Sequence, residues 1–169
     1  ATINMLAYQG AAAAKRIFTV IDSPINIKNE NNLPSISIKN SDIEFKDVSF
    51  KYLNTKDKAI NKINLKIQGR SMTAFVGHSG AGKSTIINLL PRFYDPQNGK
   101  IFIDDQDIKN INLNSLRKNI SLVSQDIILF DDTIRANIAY ANDSATDKEV
   151  IKACELAAAN EIIKKLTND

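Results

Sequence analysis

Apolar and polar positions divide the chain into stretches of different period. Residues 2–21, TINMLAYQGAAAAKRIFTVI, contain no proline, are rich in alanine, and carry apolar residues at Ile3, Leu6, Ala7, Ile17, Val20 and Ile21. That pattern predicts one helix. Residues 22–41 are polar, contain Pro24 and Pro34, and lack a helical period, so they read as a linker. From Ile43 the chain alternates: Ile43, Phe45, Val48 and Phe50 stand against Glu44, Lys46, Asp47 and Lys51, the pattern of a half-buried strand. Asn54, Thr55, Lys56 and Asp57 make a turn into a second alternating run through Ile60, Ile63, Leu65 and Ile67. An antiparallel β region is therefore expected first.

The texture then changes. Met72, Thr73, Ala74, Phe75 and Val76 form a short apolar run that predicts a buried strand, and a helix is expected from Lys83 until Pro91 ends it. Asp95 to Gly99 is a turn, Lys100 to Asp104 a short strand, and Asn112 or Asn114 the cap of a helix through Leu116, Arg117 and Lys118. Ile120 to Val123 predicts a core strand that delivers Ser124, Gln125 and Asp126 to its C-terminal end, where ligands gather in α/β sheets. Residues 127–141 begin apolar and become helical, with Asp132 or Thr133 as the cap. Residues 147–166 give two further helical pieces that meet at Asn160.

Between the predicted strand and helix lies GHSGAGKST, residues 77–85. The spacing Gly77, Gly82, Lys83, Ser84 fits G-x-x-x-x-G-K-[ST], a loop whose backbone N–H groups turn inward around nucleotide phosphates. Glycine is required because backbone must approach anionic oxygens closely, at φ values that a β-carbon forbids. In this motif Lys83 reaches the β- and γ-phosphates and the Ser84 hydroxyl ligates Mg²⁺.

Composition narrows the alternatives. With 43% hydrophobic and 24% charged residues, the chain suits a globular domain with a core. The net charge of +3, from 22 basic and 19 acidic residues scattered along the chain, marks a solvated surface and no nucleic-acid footprint. Cys154 is the single cysteine, so no internal disulfide forms, and its alanine-rich helical setting reads as core packing. The only histidine, His78, lies inside the phosphate loop, leaving no His/Cys cluster for zinc or for a catalytic triad. Asp104, Asp105 and Asp107 look like an acidic metal cluster, but the turn chemistry of aspartate accounts for them without a metal. Tyr52, just after the first strand, either packs the strand end or stacks on a base.

The N-terminal helix also has two readings. Its uncharged part closes at Lys15 and Arg16 after about 14 residues, short of the ~20 that a bilayer span needs. It reads either as an amphipathic helix packed on the domain or as the last turns of a span, with the start at Ala1 being a cut.

Taken together, these stretches resemble an ATP-binding cassette (ABC) transporter of the exporter type, lipid A or multidrug exporter-like, in which membrane span and nucleotide-binding domain share one polypeptide. GAAAAKRIFTVIDSP is similar to the end of the last transmembrane helix, and IEFKDVSFKY to the strand that ends in the aromatic A-loop. GHSGAGKST is similar to the Walker A loop, and ISLVSQDIILFDDTIRANIAYA to the Q-loop and the start of the helical subdomain. The resemblance implies an α/β fold: a P-loop NTPase (RecA-like) core with an N-terminal antiparallel β subdomain and the start of a helical subdomain. It implies three parts: residues 1–21 as the end of the last transmembrane helix, 22–41 as a linker, and 42–169 as the N-terminal part of the nucleotide-binding domain.

It also implies ATP and Mg²⁺ as ligands. Tyr52 would lie on adenine, and Gly77, His78, Ser79, Gly80, Ala81, Gly82, Lys83, Ser84 and Thr85 would hold the phosphates. Ser84 and Gln125 would attend Mg²⁺, and Lys83 and Gln125 would be the catalytic contributors. The implied partners are a second nucleotide-binding domain and the transmembrane domain of the same polypeptide, at the cytoplasmic face of the cell membrane, with no nucleic acid.

Two departures stand out. Asp105 occupies a position where the family usually has glycine, which points to a left-handed turn residue. The LSGGQ-type signature, the Walker B strand with its catalytic glutamate, and the switch histidine do not appear within these 169 residues. The chain is therefore expected to bind MgATP without hydrolysing it appreciably, and to leave a hydrophobic strand edge uncovered. The competing function is a soluble, nucleotide-switched interaction module with a P-loop fold.

Overall fold

The computed structural model describes residues 2–163 apart from Asn26, Asn31, Asn54, Asp126, Asp143, Asn160 and Ile162. The chain divides into two units, Ala1–Ser121 and Leu122–Asp169. Helix α1 covers Thr2–Ile21, as its alanine-rich sequence predicts. Its Met5, Tyr8, Ile17, Phe18, Val20 and Ile21 are exposed. No described helix is long and apolar enough to cross a membrane.

Four antiparallel strands form one sheet: β1 (Ile43–Phe50), β2 (Ile60–Ile67), β3 (Asn98–Ile103) and β4 (Gln106–Asp107), in the order β2-β1-β3-β4. The expected hairpin of the first two strands is present, with Phe45 opposite Leu65 and Phe50 opposite Ile60. Its second edge is built by residues after the phosphate loop, a pairing that alternation alone does not reveal. Strict alternation would place Phe45 and Val48 on opposite faces, yet both are buried. The register shifts between them, with Asp47 at φ 49°, so one extra residue returns Val48 to the core face. Asn64 clamps this bulge by donating from Nδ2 to Asp47 Oδ1 (2.8 Å) and accepting from Asp47 N (3.0 Å). Gly99, at φ 82°, passes so close to the bulge that a β-carbon there would run into Lys46 O.

The β3–β4 connection is the two-residue turn Asp104–Asp105, with φ 46° and 63°. Positive φ at both central positions is the primed hairpin geometry, and Asp105 takes the left-handed conformation expected of it. Asp104 also works through its carboxylate. Oδ2 accepts from the backbone N–H groups of Lys39 (2.6 Å), Asn40 (3.1 Å) and Ser41 (3.1 Å), and Oδ1 from that of Asp42 (3.0 Å). The preceding residues are tied down as well: Pro34 O accepts from Asn112 N (2.9 Å), and Gln106 holds Ser37 through both backbone groups.

After the phosphate loop come α2 (Lys83–Leu89), a 3-10 turn (Ile108–Asn110) and α3 (Leu113–Lys118). Ile86 and Leu89 of α2 and Leu113 and Leu116 of α3 pack with Phe45, Val48, Ile101 and Ile103 of the sheet in one core. Asn112 is the cap of α3, accepting from Ser115 N. Arg92, buried and at φ 51°, grips Asp95 with two bonds (2.9 and 3.0 Å) and reaches the carbonyls of Ile108 and Lys109. Arg117 donates to Pro91 O and Arg92 O, both at 2.9 Å.

Two expected strands do not form. Residues 72–76 and 120–123 are irregular, and Met72, Val76 and Val123 are 100%, 94% and 96% exposed. A short apolar run becomes a strand only beside a ladder partner, and no described strand pairs with either. Phe75 alone of the first run packs partly against the core.

In the second unit, α4 (Ile134–Ala139) is capped by Thr133 and α5 (Asp147–Leu156) by a Thr146–Glu149 capping box. Cys154 is buried with Ala139 and Val150, the packing role expected of it. The second helical piece expected after Asn160 lies largely outside the described residues, as do Asn54 of the expected turn and Asp126 beyond Gln125.

Hydrogen bonds from the backbone, led by that of Lys39, hold the Asp104 carboxyl down at about 2, against an ordinary value of 3.8. A depressed folded pKa gives stability that is complete above the ordinary value and lost as pH falls through the folded one. Thermal melts of wild type and Asp104→Asn should therefore differ at pH 6 and converge as the pH is lowered from about 4 towards 2. Leu89, fully buried at the end of α2, predicts a loss of about 2–5 kcal/mol in Leu89→Ala, read by urea denaturation.

Candidate nucleotide site

The phosphate loop begins at Gly77 and enters α2 at Lys83. Gly80 and Gly82 have φ of 80° and 85°. At Gly82 a second constraint applies, since a β-carbon would stand 2.6 Å from Ala59 O. Both conformation and space thus demand glycine at the residue that starts the helix. Gly82 is the N-cap of α2 and supplies no side-chain bond, so no side chain closes off the first N–H groups of the helix.

The loop curls around one cation. Lys83 Nζ donates to Gly77 O and His78 O, each at 2.8 Å, while Ala81 N donates to His78 O (3.3 Å). His78 Nδ1 lies 2.8 Å from Ser79 O, its ring exposed. Ser84 is exposed and Thr85 buried. A lysine ammonium, two left-handed glycines, an uncapped helix start and an exposed hydroxyl are donors of the kind that a Mg²⁺-bound polyphosphate needs.

Tyr52 joins this group from 33 positions away. Its hydroxyl lies 3.1 Å from Thr85 Oγ1. Its ring, half-buried, meets Phe50 and Tyr94 edge to face. Sequence reasoning left strand-end packing and stacking on a base as alternatives; the ring packs on Phe50 and Tyr94, while its hydroxyl meets Thr85 of the loop. Tyr94 was not foreseen, because RFYD after a helix carries no periodic signal.

Gln125 belongs to the second unit and is exposed. In that unit Asn137, also unforeseen, organises the turn before α4: Oδ1 accepts from Phe130 N (2.8 Å), and Nδ2 donates to the carbonyls of Phe130, Asp132 and Thr133. Phe130 stacks on Tyr140 with centroids 4.3 Å apart. Two of the three aspartates that resemble a metal cluster have other partners. Asp104 holds backbone N–H groups, while Asp107 accepts from Lys109 N (3.0 Å) and pairs with Lys100 (3.3 Å).

Comparison with known proteins agrees with this geometry. Among curated proteins, an ATP-dependent lipid A-core flippase of Desulfotalea psychrophila (strain LSv54 / DSM 12343) is 43% identical over 166 residues, covering 98% of this chain and 29% of the flippase. A protein of Staphylococcus aureus (strain NCTC 8325 / PS 47) named for multidrug export as an ATP-binding/permease is 45% identical over 150 residues, covering 89% of this chain and 26% of its own. This chain thus spans less than a third of the length of these relatives. A solved bacterial Atm1-family ABC exporter with ATP bound superposes with a TM-score of 0.80 at 39% identity, covering 92% of this chain and 27% of that one. The family model described as ABC transporter matches residues 60–169, the stretch that contains the loop around Lys83, and the chain accordingly belongs to the ABC transporter family.

Proposed function

We propose that this chain is the ATP-binding portion of an ABC exporter, and that it binds MgATP through residues of its first unit. The observation that carries this reading is the loop of Gly77–Thr85 closed around Lys83 Nζ, with Tyr52 held against Thr85. Lys83 supplies the positive charge that the phosphates require, and the glycines let backbone N–H groups approach them. Ser84 supplies a hydroxyl to Mg²⁺, and Tyr52 offers its ring to adenine. Bound Mg²⁺ supplies charge neutralisation of the phosphates. Gln125 would attend Mg²⁺ and the attacking water, and would contribute to turnover rather than to affinity.

In the intact protein, residues 1–21 would be the end of the last transmembrane helix and 22–41 the connection to the nucleotide-binding domain. That protein would lie in the cell membrane with this part at the cytoplasmic face. Its partners would be a second nucleotide-binding domain and its own transmembrane part. Lipid A-core and drug export, named for the relatives, mark the substrate classes to test.

Hydrolysis needs a positioned and activated water besides charge neutralisation. No LSGGQ-type signature, Walker B glutamate or switch histidine occurs in these 169 residues. The chain by itself therefore binds without turnover.

An equilibrium titration with ATP and Mg²⁺, followed by phosphate release on the same samples, tests both halves. Saturable binding that Lys83→Ala abolishes, with release no faster than in that variant, is the expected result. Tyr52→Ala should weaken ATP by about 1–3 kcal/mol, the worth of a stacked base. Gln125→Ala should leave binding intact. Release that depends on Lys83 would overturn the separation of binding from turnover, and absence of binding by the folded chain would overturn the site.

A further inference from the structure

Tyr52 is fixed at several points. Its hydroxyl has Thr85 Oγ1 at 3.1 Å. Its ring has Phe50 at 4.8 Å and 83°, and Tyr94 at 5.2 Å and 86°, while Phe50 and Tyr94 themselves lie 5.3 Å apart. The two contacts of the Tyr52 ring are favourable edge-to-face separations, which define a ring's plane as well as its position.

The origin of the contacts matters more than their number. Thr85 is on α2, and Tyr94 is in the segment that leaves it. That segment is held in turn: Arg92 grips Asp95 across Tyr94, and Arg117 binds Pro91 O and Arg92 O just before it. The ring that follows β1 is thus positioned by the element that carries the phosphate loop. Burial alone does not account for the hydroxyl, since a phenylalanine fills a strand end equally well. Tyr52 nonetheless remains half-exposed beside an open groove of about 670 Å³ lined by Ile25, Ile27, Phe93 and Tyr94 among others.

We propose that Thr85 and Tyr94 are positioning residues for base recognition, holding the Tyr52 ring at a set place relative to the phosphate loop before a nucleotide arrives. The inference rests on the nucleotide-site reading above. Its content is preorganisation: a side chain already ordered in the free protein need not be ordered on binding, and the saving appears as affinity for the base. The ligand class follows from the chemistry. A ring face selects a flat heteroaromatic base without reading its edge, so ATP and other purine triphosphates gain over base-free triphosphate.

The test measures the affinity of this chain for MgATP and for Mg²⁺ tripolyphosphate, and reads the ratio, with circular dichroism verifying the fold of each variant. Tyr52→Phe keeps the ring and removes the hydroxyl. Thr85→Val removes its partner at constant shape, Thr85→Ser returns the hydroxyl, and Tyr94→Leu removes the ring contact. The preference for ATP should fall about fivefold, ~1 kcal/mol, in Tyr52→Phe, Thr85→Val and Tyr94→Leu, and return in Thr85→Ser. A ratio unchanged within about twofold in Tyr52→Phe and Thr85→Val overturns the positioning role while leaving the nucleotide site standing. A wild-type chain that binds both ligands equally well removes the base contact, and the inference with it. A wild-type chain that binds neither, or a Lys83→Ala variant that binds both as well as wild type, overturns the nucleotide-site reading itself.

Discussion

The approach of Gly82 to Ala59 is the constraint on which the arrangement turns. Ala59 immediately precedes β2, whose first residue, Ile60, is buried in the sheet core and lies 3.6 Å from where a Gly82 β-carbon would be. Gly82 is also the residue at which the loop becomes helix, at φ 85°. One close backbone contact thus joins the antiparallel sheet to the start of α2. Ile86 and Leu89 then anchor the helix on the same core that Phe45 and Val48 occupy. With the helix fixed on the sheet, Lys83 projects back into its own loop, and Thr85 stands within reach of Tyr52, two residues beyond β1.

The central position of β1 gives this contact its range. The strand pairs on one side with β2 and on the other with β3, so residues from before and after the phosphate loop converge on it. The bulge at Asp47 is what allows both Phe45 and Val48 to face the core while Tyr52 follows at the strand's end. Asn64 and Gly99 secure that bulge from opposite neighbours. Asp104 gathers the approach to β1 by binding four consecutive N–H groups, Lys39 to Asp42. A carboxylate with that many N–H partners is strongly held as an anion, which is why turn chemistry, and no metal, explains its presence.

Much of this was legible because local signals were strong. The alanine-rich helix, the hairpin of β1 and β2, the loop with its helix and the two caps at Asn112 and Thr133 are each set by neighbours in sequence. The phosphate loop was clearest of all, since its glycines answer to a backbone geometry that few other residues adopt. What the sequence left unseen was decided at long range. The addition of β3 and β4 to the sheet, the Arg92 and Arg117 contacts and the placing of Tyr94 beside Tyr52 depend on pairings between distant segments, for which periodicity has no term. The failed strands at 72–76 and 120–123 have the same origin. Their apolar, β-branched composition was read correctly, but a strand is a property of two chains of hydrogen bonds, and composition supplies only one of them.

The residues proposed for the site fall on both units of the chain. Tyr52, the loop of Gly77–Thr85, and the side chains that brace them all belong to Ala1–Ser121, and each contact among them is formed within that unit. Gln125 belongs to the other unit, beside a turn that Asn137 organises and a helix that Thr133 caps. A ligand held by charge, backbone N–H groups and a ring face needs only the first set. In the proposed reading, affinity would thus rest on Ala1–Ser121 and the contribution to turnover on a separately packed piece of chain.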